Sequence, residues 1–444
     1  MSRKVSLGAA VSAAAIASAV TVSLTYSYAM NSFNGKVADI NERQAMYTKL
    51  SEIDQKARQD YVGKINETAL TDGICAGYLA GLGDSHAQYL SAQKYKAYLG
   101  ASSSNNTGVG VTTLQDDDGN MEVIEVMPGS PAEKAGIKQG DTIVAVGGKE
   151  IPRITYAAAL NELDGTAGTK VTLTILHASA SSASPASAAK TADITVTRGE
   201  YTPRTLSYSV INGNVGYIRI SQFRSGTASD FNNAVSALVR QRPAGLVVDL
   251  RGNAGGLVSG AAAALDTLLP AGNMVESRDK DGKTTVEYTS GTNEVDLPVS
   301  VVVNGGTSGA AELFAEDIRD FKKGLVVGEQ TAGNAMKDAV VPLSDGSAII
   351  VSVAEYLPAG GKSFLDTGVG IDINKSLAAD QQKLLEHNRL DPSADAQVQA
   401  AVTALARQGA QVQKMPGTPQ ASSGTASSAP ASSGSSSPSA ADTD

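Results

Sequence analysis

The second half of the chain alternates short apolar runs with longer amphipathic stretches, and this pattern constrains the fold most. The apolar runs are Val215–Ile220, Gly245–Leu250, Val299–Val303 and Gly324–Gly328, and helix-like stretches such as Thr227–Arg240 and Ala310–Phe321 lie between them. Strands that are apolar along their whole length are covered on both faces, which is typical of parallel sheets connected by helices. The sequence therefore predicts an α/β core with a largely parallel sheet, and a functional site at the carboxyl ends of its strands.

The two ends of the chain differ from this pattern. Residues 5–35 contain no charged residue and follow Arg3 and Lys4, and the run exceeds the roughly 20 apolar residues that cross a bilayer. We expect residues 1–35 to be a signal anchor that makes the protein single-pass in the cell membrane with its bulk extracytoplasmic. A small-x-small site at Ser27–Ala29 leaves cleavage and secretion open. Residues 411–444 are mostly Ser, Ala, Gly, Thr and Pro, which predicts a disordered tail.

Composition excludes several classes of function. The net charge is −9 and there is no basic run, which argues against nucleic acid as a partner. Cys75 is the only cysteine, so no disulfide can form within the chain. Three histidines, His86, His177 and His387, have no partner at ligand spacing, so neither a zinc site nor a histidine-based triad is supported. We expect no metal and no other cofactor.

Two amphipathic helices are predicted in residues 36–98, after the anchor. Apolar residues recur there at three- and four-residue steps, at Tyr47, Leu50, Ile53, Ala57 and Tyr61, and again at Leu70, Ile74, Tyr78 and Leu82.

Residues 99–200 form short alternating runs bounded by glycines, which predicts strands. Within them, Gly129–Ile143 reads as a turn, a short helix, a glycine stop and a new strand, and this run resembles a PDZ domain. A PDZ domain adds the end of another chain to its sheet edge and holds the terminal carboxylate with backbone amides. The resemblance places the carboxylate loop at Gly108, Val109, Gly110 and Val111; the alternative is a glycine turn before a strand.

From about Val37 to Arg407 the chain resembles the carboxyl-terminal processing, or tail-specific, serine proteases, with residues 201–410 as the catalytic-type core. The motifs that carry the resemblance occur in the family's order: Gly81–Asp84, the PDZ run, Val215–Ile220, Asp249–Gly256, Asn304–Glu312, Gly328–Glu329 and Gly370–Ile371. The resemblance implies an N-terminal helical region, a PDZ domain and an α/β core, so the whole is a mixed fold, part α+β and part α/β.

The family's chemistry uses a serine nucleophile, a neutral lysine as its base and a glutamine that holds the lysine. Its nucleophile motif reads roughly S-A-S-A-S-E, and aligned on Glu312 the attacking serine falls on Gly309. Its base motif, aligned on Gly328, places the lysine at Asn334 and the glutamine at Asp338. A glycine has no nucleophile, and an amide oxygen is too weakly basic to deprotonate a hydroxyl near neutral pH. Under the resemblance all three catalytic positions are therefore lost.

Neighbouring residues offer a second reading of the site. Ser308 and Lys337 could form a displaced dyad, although Ser308 or Thr307 could instead cap the helix that begins near Ala310. The resemblance places the oxyanion-side loop at Asn253, Gly255, Gly256 and Ala310; the alternative is a plain strand-to-helix turn.

The sequence thus predicts a membrane-anchored pseudoprotease that binds unfolded or extended polypeptide C-termini and has an active protease relative as a second candidate partner. Two alternatives remain: an active serine endopeptidase that uses Ser308 and Lys337, and a structural envelope protein in which peptide binding has also been lost.

Overall fold

The computed structural model describes residues 40–101, 106–177, 191–292 and 294–413. Its contacts divide the chain into a unit that ends at Tyr78 and a unit that begins at Leu79. The signal anchor predicted for residues 1–35 lies outside the described residues, as does nearly all of the predicted tail. Within the part of the chain that is described, no helix is both long and apolar enough to cross a membrane.

Two helices form the described part of the first unit, as predicted. Helix α1 spans residues 40–60 and α2 spans Glu67–Ala80. The Arg58 guanidinium joins them, because it contacts Asp54 at 2.8 Å and Glu67 at 2.7 Å. The apolar stripes that predicted these helices are largely exposed: Tyr47 is 59% exposed and Tyr78 is 55% exposed. The periodicity predicted the helices correctly without indicating what the stripes pack against.

The second unit begins with a strand and a helix that precede the PDZ-like part. Strand β1 is Gln88–Leu90 and α3 is Ala92–Ala101. The PDZ-like part then consists of β2 (Asn106–Gly108), β3 (Val111–Gln115), β4 (Met121–Val126), α4 (Pro131–Lys134), β5 (Thr142–Val146), β6 (Lys149–Glu150), α5 (Ile151–Ile154), α6 (Tyr156–Leu163), β7 (Lys170–Leu176), β8 (Thr191–Thr197) and β9 (Gly199–Tyr201).

The PDZ-like part is an antiparallel sheet around its own core. The strand order is β3-β4-β5-β7-β8, and β3 is an edge strand. Met121, Ile143 and Leu173 are fully buried at its centre. The predicted turn, short helix and glycine stop are all present, since α4 is capped by the Ser130 side chain and Gly136 has a φ of 84°. This φ suits glycine, which has no Cβ to clash.

The core that follows contains β10 (Leu206–Ile211), β11 (Val215–Ile220), α7 (Thr227–Val239), β12 (Gly245–Asp249), α8 (Val258–Leu265), β13 (Gly272–Asp279), β14 (Thr284–Ser290), β15 (Val299–Val303), α9 (Ala310–Asp320), β16 (Gly324–Gly328), β17 (Met336–Pro342), β18 (Ala348–Leu357), β19 (Ile373–Asn374), α10 (Ala379–Glu386) and α11 (Ala396–Arg407).

The main sheet has six strands in the order β10-β11-β12-β15-β16-β19. Every pair in it is parallel except β10 with β11. Val248, Val301 and Val326 pack on one side in a cluster that includes Phe223, Phe231 and Phe314, whereas Val247, Val302 and Val327 pack on the other against α11. The prediction of a largely parallel sheet buried on both faces is confirmed.

A second sheet, which the sequence pattern did not predict, lies in the same unit. It has five antiparallel strands: β1-β18-β13-β14, with β17 paired to β18. Most residues of β14, β17 and β18 are partly or fully exposed, so these strands lack the continuous burial of the main sheet. It carries Lys337 and Asp338, two of the predicted site residues.

Candidate functional site

The turn between β15 and α9 places Gly309 at the N-cap of the helix. Its φ is 57° and its ψ is −117°, a combination that residues with a Cβ rarely adopt. A Cβ built on Gly309 would have no atom within 4 Å. Position 309 therefore combines a backbone shape that strains other residues with open space where a side chain would extend.

Glu312, in the first turn of α9, fastens this turn to the segment after β16. Its carboxylate is fully buried, and one of its oxygens accepts the amides of Gly309 at 2.9 Å and of Asn334 at 2.8 Å. The other oxygen accepts the Gly333 amide at 2.6 Å and the Thr331 hydroxyl at 2.5 Å. Gly309 and Asn334, which the resemblance assigned as the nucleophile and base positions, are thus held on one carboxylate oxygen.

The loop after β12 rests on a buried ionic cluster. The Arg251 guanidinium contacts Asp249 at 2.6 Å and Asp395 at 2.7 Å, and it donates to Gln397 at 3.0 Å. Burial by itself would raise the pKa of Asp249, but Arg251 outweighs burial and lowers that pKa to about 2. The cluster gives the Gly252–Gly256 loop a rigid base.

That loop meets the β15–α9 turn directly. Asn253 is fully buried, donates to the Ile220 carbonyl at 3.0 Å and accepts the Gly255 amide at 2.8 Å on its own side chain. A Cβ on Gly255 would lie 2.8 Å from the Ser308 carbonyl and 3.1 Å from the Ala310 nitrogen, so only glycine allows this approach. In the part of the chain that is described, the Ala310 amide makes no hydrogen bond. The Gly255 amide, by contrast, is already bound within the loop.

The expected helix caps are wrong. Thr307 is fully buried, and its hydroxyl donates to the Leu250 carbonyl at 2.9 Å. No side-chain hydroxyl caps α9, because its N-cap residue is Gly309, and the amides of Ala311 and Glu312 donate to the carbonyls of Ser308 and Gly309. The Ser308 amide donates to the Asn253 carbonyl at 2.9 Å, which fixes the backbone of the turn.

Lys337 is engaged on the second sheet. Its ammonium donates to Glu287 at 2.5 Å and lies 5.7 Å from the centre of the Tyr356 ring. The hydrogen bond from Lys337 lowers the pKa of Glu287, as expected for an ion pair. The Lys337 ammonium is thus held by a carboxylate of the second sheet.

Asp338 contacts strand β18 and the segment before β1. One carboxylate oxygen accepts the Ser352 hydroxyl at 3.0 Å, and the other lies 3.5 Å from His86 Nδ1. Asp84 holds the same corner, because it accepts the amides of His86 and Ser352. In the described residues, no group of three or more His, Cys, Asp or Glu side chains is arranged to hold a metal ion.

The predicted carboxylate loop of the PDZ-like part is partly occupied by its own chain. Gly108 belongs to β2 and pairs with Gly199. The Val109 amide donates to the Leu163 carbonyl at 3.1 Å, at the end of α6. Gly110 has a φ of 80°, and Val111 begins the edge strand β3. Among the described residues, the Gly110 amide donates to no acceptor.

The groove between β3 and α6 is bridged near its other end. The Tyr156 hydroxyl, at the first residue of α6, donates to the Thr113 carbonyl at 2.9 Å. A peptide that extends the sheet would need the backbone groups of β3, so Tyr156 competes with it. The groove opens into a cavity of about 450 Å³ whose wall includes Gly252 and Ala254 of the core loop. The peptide groove and the loop at the catalytic-type turn thus face one space.

The residues of the groove that sequence reasoning missed are the ones that make contacts across the fold. Tyr156 and Leu163 are ordinary helix residues in the sequence, and their partners are distant along the chain. Glu312 had a local signal, since a glutamate three residues after an N-cap forms half of a capping box.

Comparison with known proteins agrees with this architecture. Residues 92–176 match the PDZ domain and residues 214–375 match peptidase family S41. The chain is 31% identical over 339 residues to the chloroplastic C-terminal processing peptidase of Tetradesmus obliquus, covering 72% of this chain and 69% of that one. It is 28% identical over 365 residues to the carboxy-terminal processing protease CtpA of Bacillus subtilis, covering 82% and 75%.

A solved structure of an S41 protease from Bacteroides fragilis NCTC 9343 has a TM-score of 0.50 at 21% identity, covering 79% of this chain and 92% of that one. At this identity the likeness shows the fold alone. Fold and sequence together define a PDZ-containing peptidase architecture. The chain belongs to peptidase family S41 and is a homologue of its carboxyl-terminal processing proteases.

Proposed function

We propose that this chain is a pseudoprotease, which binds polypeptide C-termini through its PDZ-like groove and does not hydrolyse them. It would hold extended chains as an adaptor or as a regulator of an active relative. The substrate class comes from the relatives, which are named as proteases that process proteins at their carboxyl ends.

The proposal that catalysis is lost depends mainly on one observation. Glu312 brings the backbones of residues 309 and 334 together, as a nucleophile and its base would need, yet these residues are glycine and asparagine. Neither supplies a nucleophile or a base. Loss of either member of a working catalytic unit costs on the order of a millionfold in turnover.

An active enzyme with a displaced dyad is the second candidate. Ser308 is the hydroxyl beside Gly309, and its side chain makes no hydrogen bond in the described part of the chain. Lys337 disfavours this candidate, because it is paired with Glu287.

Cleavage and binding assays separate the candidates. The purified protein is incubated with an unfolded protein that has an apolar C-terminus, and fragments are sought by mass spectrometry. We expect none; cleavage that Ser308→Ala abolishes would overturn the proposal that the chain is a pseudoprotease. Binding of an apolar C-terminal peptide is then compared with that of its amidated form. We expect preference for the free acid, whereas equal or absent binding would favour a purely structural envelope protein.

We also propose that residues 1–35 anchor the protein in the cell membrane, with its bulk outside the cytoplasm. The uncharged run after Arg3 and Lys4 supports this. Fractionation with an alkaline wash tests it: an anchored protein stays with the membrane, whereas a secreted one is found in the medium.

A further inference from the structure

The cavity beside β3, the edge strand that a bound C-terminus would extend, is lined by cationic side chains. Its wall is formed by β3, α6, the Tyr201–Arg224 region and the core loop. The charged residues in this wall are Arg204, Arg224 and Glu125. Cations outnumber anions there, although the protein as a whole has a net charge of −9.

The carboxylate loop by itself is a weak anion site. The Val109 amide is bonded to Leu163, so it is not available to a ligand. Asp164 follows Leu163, and its carboxylate oxygen would lie 2.8 Å from a Cβ on Gly108. Arg198 offsets part of the Asp164 charge, and a further cation near the loop would favour a peptide carboxylate there.

The backbone of Arg204 lies close to this loop. The Met127 amide donates to the Gly110 carbonyl at 3.0 Å, and the Arg204 amide donates to the Met127 sulfur at 3.4 Å. Tyr201 packs on the loop as well, since a Cβ on Gly110 would lie 3.2 Å from its Cγ. The Arg204 side chain is exposed, lines the cavity and makes no hydrogen bond in the described part of the chain.

We propose that the Arg204 guanidinium binds the terminal carboxylate of the peptide, together with the free amide of Gly110. This inference depends on the proposed function and names the residue that would give it specificity for chain ends. Arginine suits the role because its planar fork can donate two hydrogen bonds to one carboxylate. Arg224, held at the other side of the cavity by a 3.2 Å bond to Asn106, adds to the positive field.

Glu125 opposes this field only in part. Burial raises the pKa of Glu125, and the charges of Arg204 and Arg219 act against that shift. A peptide carboxylate and Glu125 would therefore both interact with the positive charge of Arg204.

Fluorescence polarisation with a labelled apolar decapeptide, as free acid and as amide, tests the inference. The variants are Arg204→Gln, Arg204→Lys and the control Arg240→Gln, which removes an exposed arginine at the end of α7. We expect Arg204→Gln to weaken binding of the free acid about tenfold and to leave the amide unchanged, as loss of a charge-assisted hydrogen bond requires. Arg204→Lys should keep part of the preference, and Arg240→Gln all of it.

The outcomes distinguish this inference from the proposed function. If the unmodified protein prefers the free acid and Arg204→Gln keeps the full preference, Arg204 is not the carboxylate ligand and the proposed function stands. If the unmodified protein does not distinguish acid from amide, both fail. Circular dichroism confirms that each variant is folded, and a smaller salt dependence of binding in Arg204→Gln would support the lost charge contact.

Discussion

Replacing Glu312 with glutamine should destabilise the protein, because this carboxylate is an acceptor for four donors. It is fully buried and accepts the amides of Gly309, Gly333 and Asn334 and the hydroxyl of Thr331. Glutamine keeps the shape but converts one acceptor oxygen into an NH₂ group that only donates.

The loss of stability depends on which of two orientations the glutamine amide adopts, and the less costly orientation sets its size. If the NH₂ group replaces the oxygen that serves Gly309 and Asn334, two backbone donors lose their acceptor. If the NH₂ group replaces the other oxygen, the Gly333 amide loses its acceptor, whereas the Thr331 hydroxyl can rotate away. One buried unpaired donor costs about 1–3 kcal/mol, and the remaining bonds lose their charge assistance. We therefore expect Glu312→Gln to cost about 2–4 kcal/mol.

Urea unfolding followed by circular dichroism measures this cost, and hydrogen exchange of residues 331–336 locates it. Glu329→Gln is the matched control: it removes the same charge nearby, from a side chain without a hydrogen bond in the described part. Equal unfolding midpoints for the two variants would refute the role assigned to Glu312.

Three further predictions concern the groove and the buried acids. Tyr156→Phe removes the hydroxyl bonded to Thr113 and should tighten peptide binding severalfold by polarisation; weaker binding would mean that the hydroxyl contacts the peptide. Burial raises the pKa of Asp317 well above its ordinary value, so stability should fall as pH rises from about 4, and Asp317→Asn should flatten that decline in thermal melts. Arg251 lowers the pKa of Asp249 to about 2, so the contribution of ionised Asp249 to stability should be complete above about pH 4 and lost towards pH 2. An acid titration followed by circular dichroism tests this, and an unchanged signal between about pH 4 and pH 2 would contradict it.

The main sheet was predictable because its strands carry their own signal. Val299–Val303 and Gly324–Gly328 are apolar throughout, and two-sided burial is the usual reason for such runs. The loops after β12, β15 and β16 then had to meet, since these strands are neighbours in a parallel sheet. The second sheet was missed because strands such as β14 expose part of one face, with Val286 45% exposed.

The contacts at the site were less predictable than the positions of its residues. Sequence spacing favoured a hydroxyl cap on α9, but the Thr307 hydroxyl donates to the Leu250 carbonyl, and the N-cap position is held by Gly309. The bond between Val109 and Leu163 joins residues far apart in the chain, and no local periodicity encodes such a bond. Local patterns predict elements, whereas competition between partners decides which hydrogen bonds form.

The frame of this site does not require a nucleophile in order to persist. The bonds of Glu312 go to backbone amides and to Thr331, so none depends on the side chains at positions 309 and 334. At position 309 glycine easily adopts a backbone conformation that would strain a residue with a Cβ, and a Cβ there would have no atom within 4 Å. Folding and catalysis therefore impose separate demands on this turn, and a chain can lose the second while the first still selects Glu312 and the glycines around it.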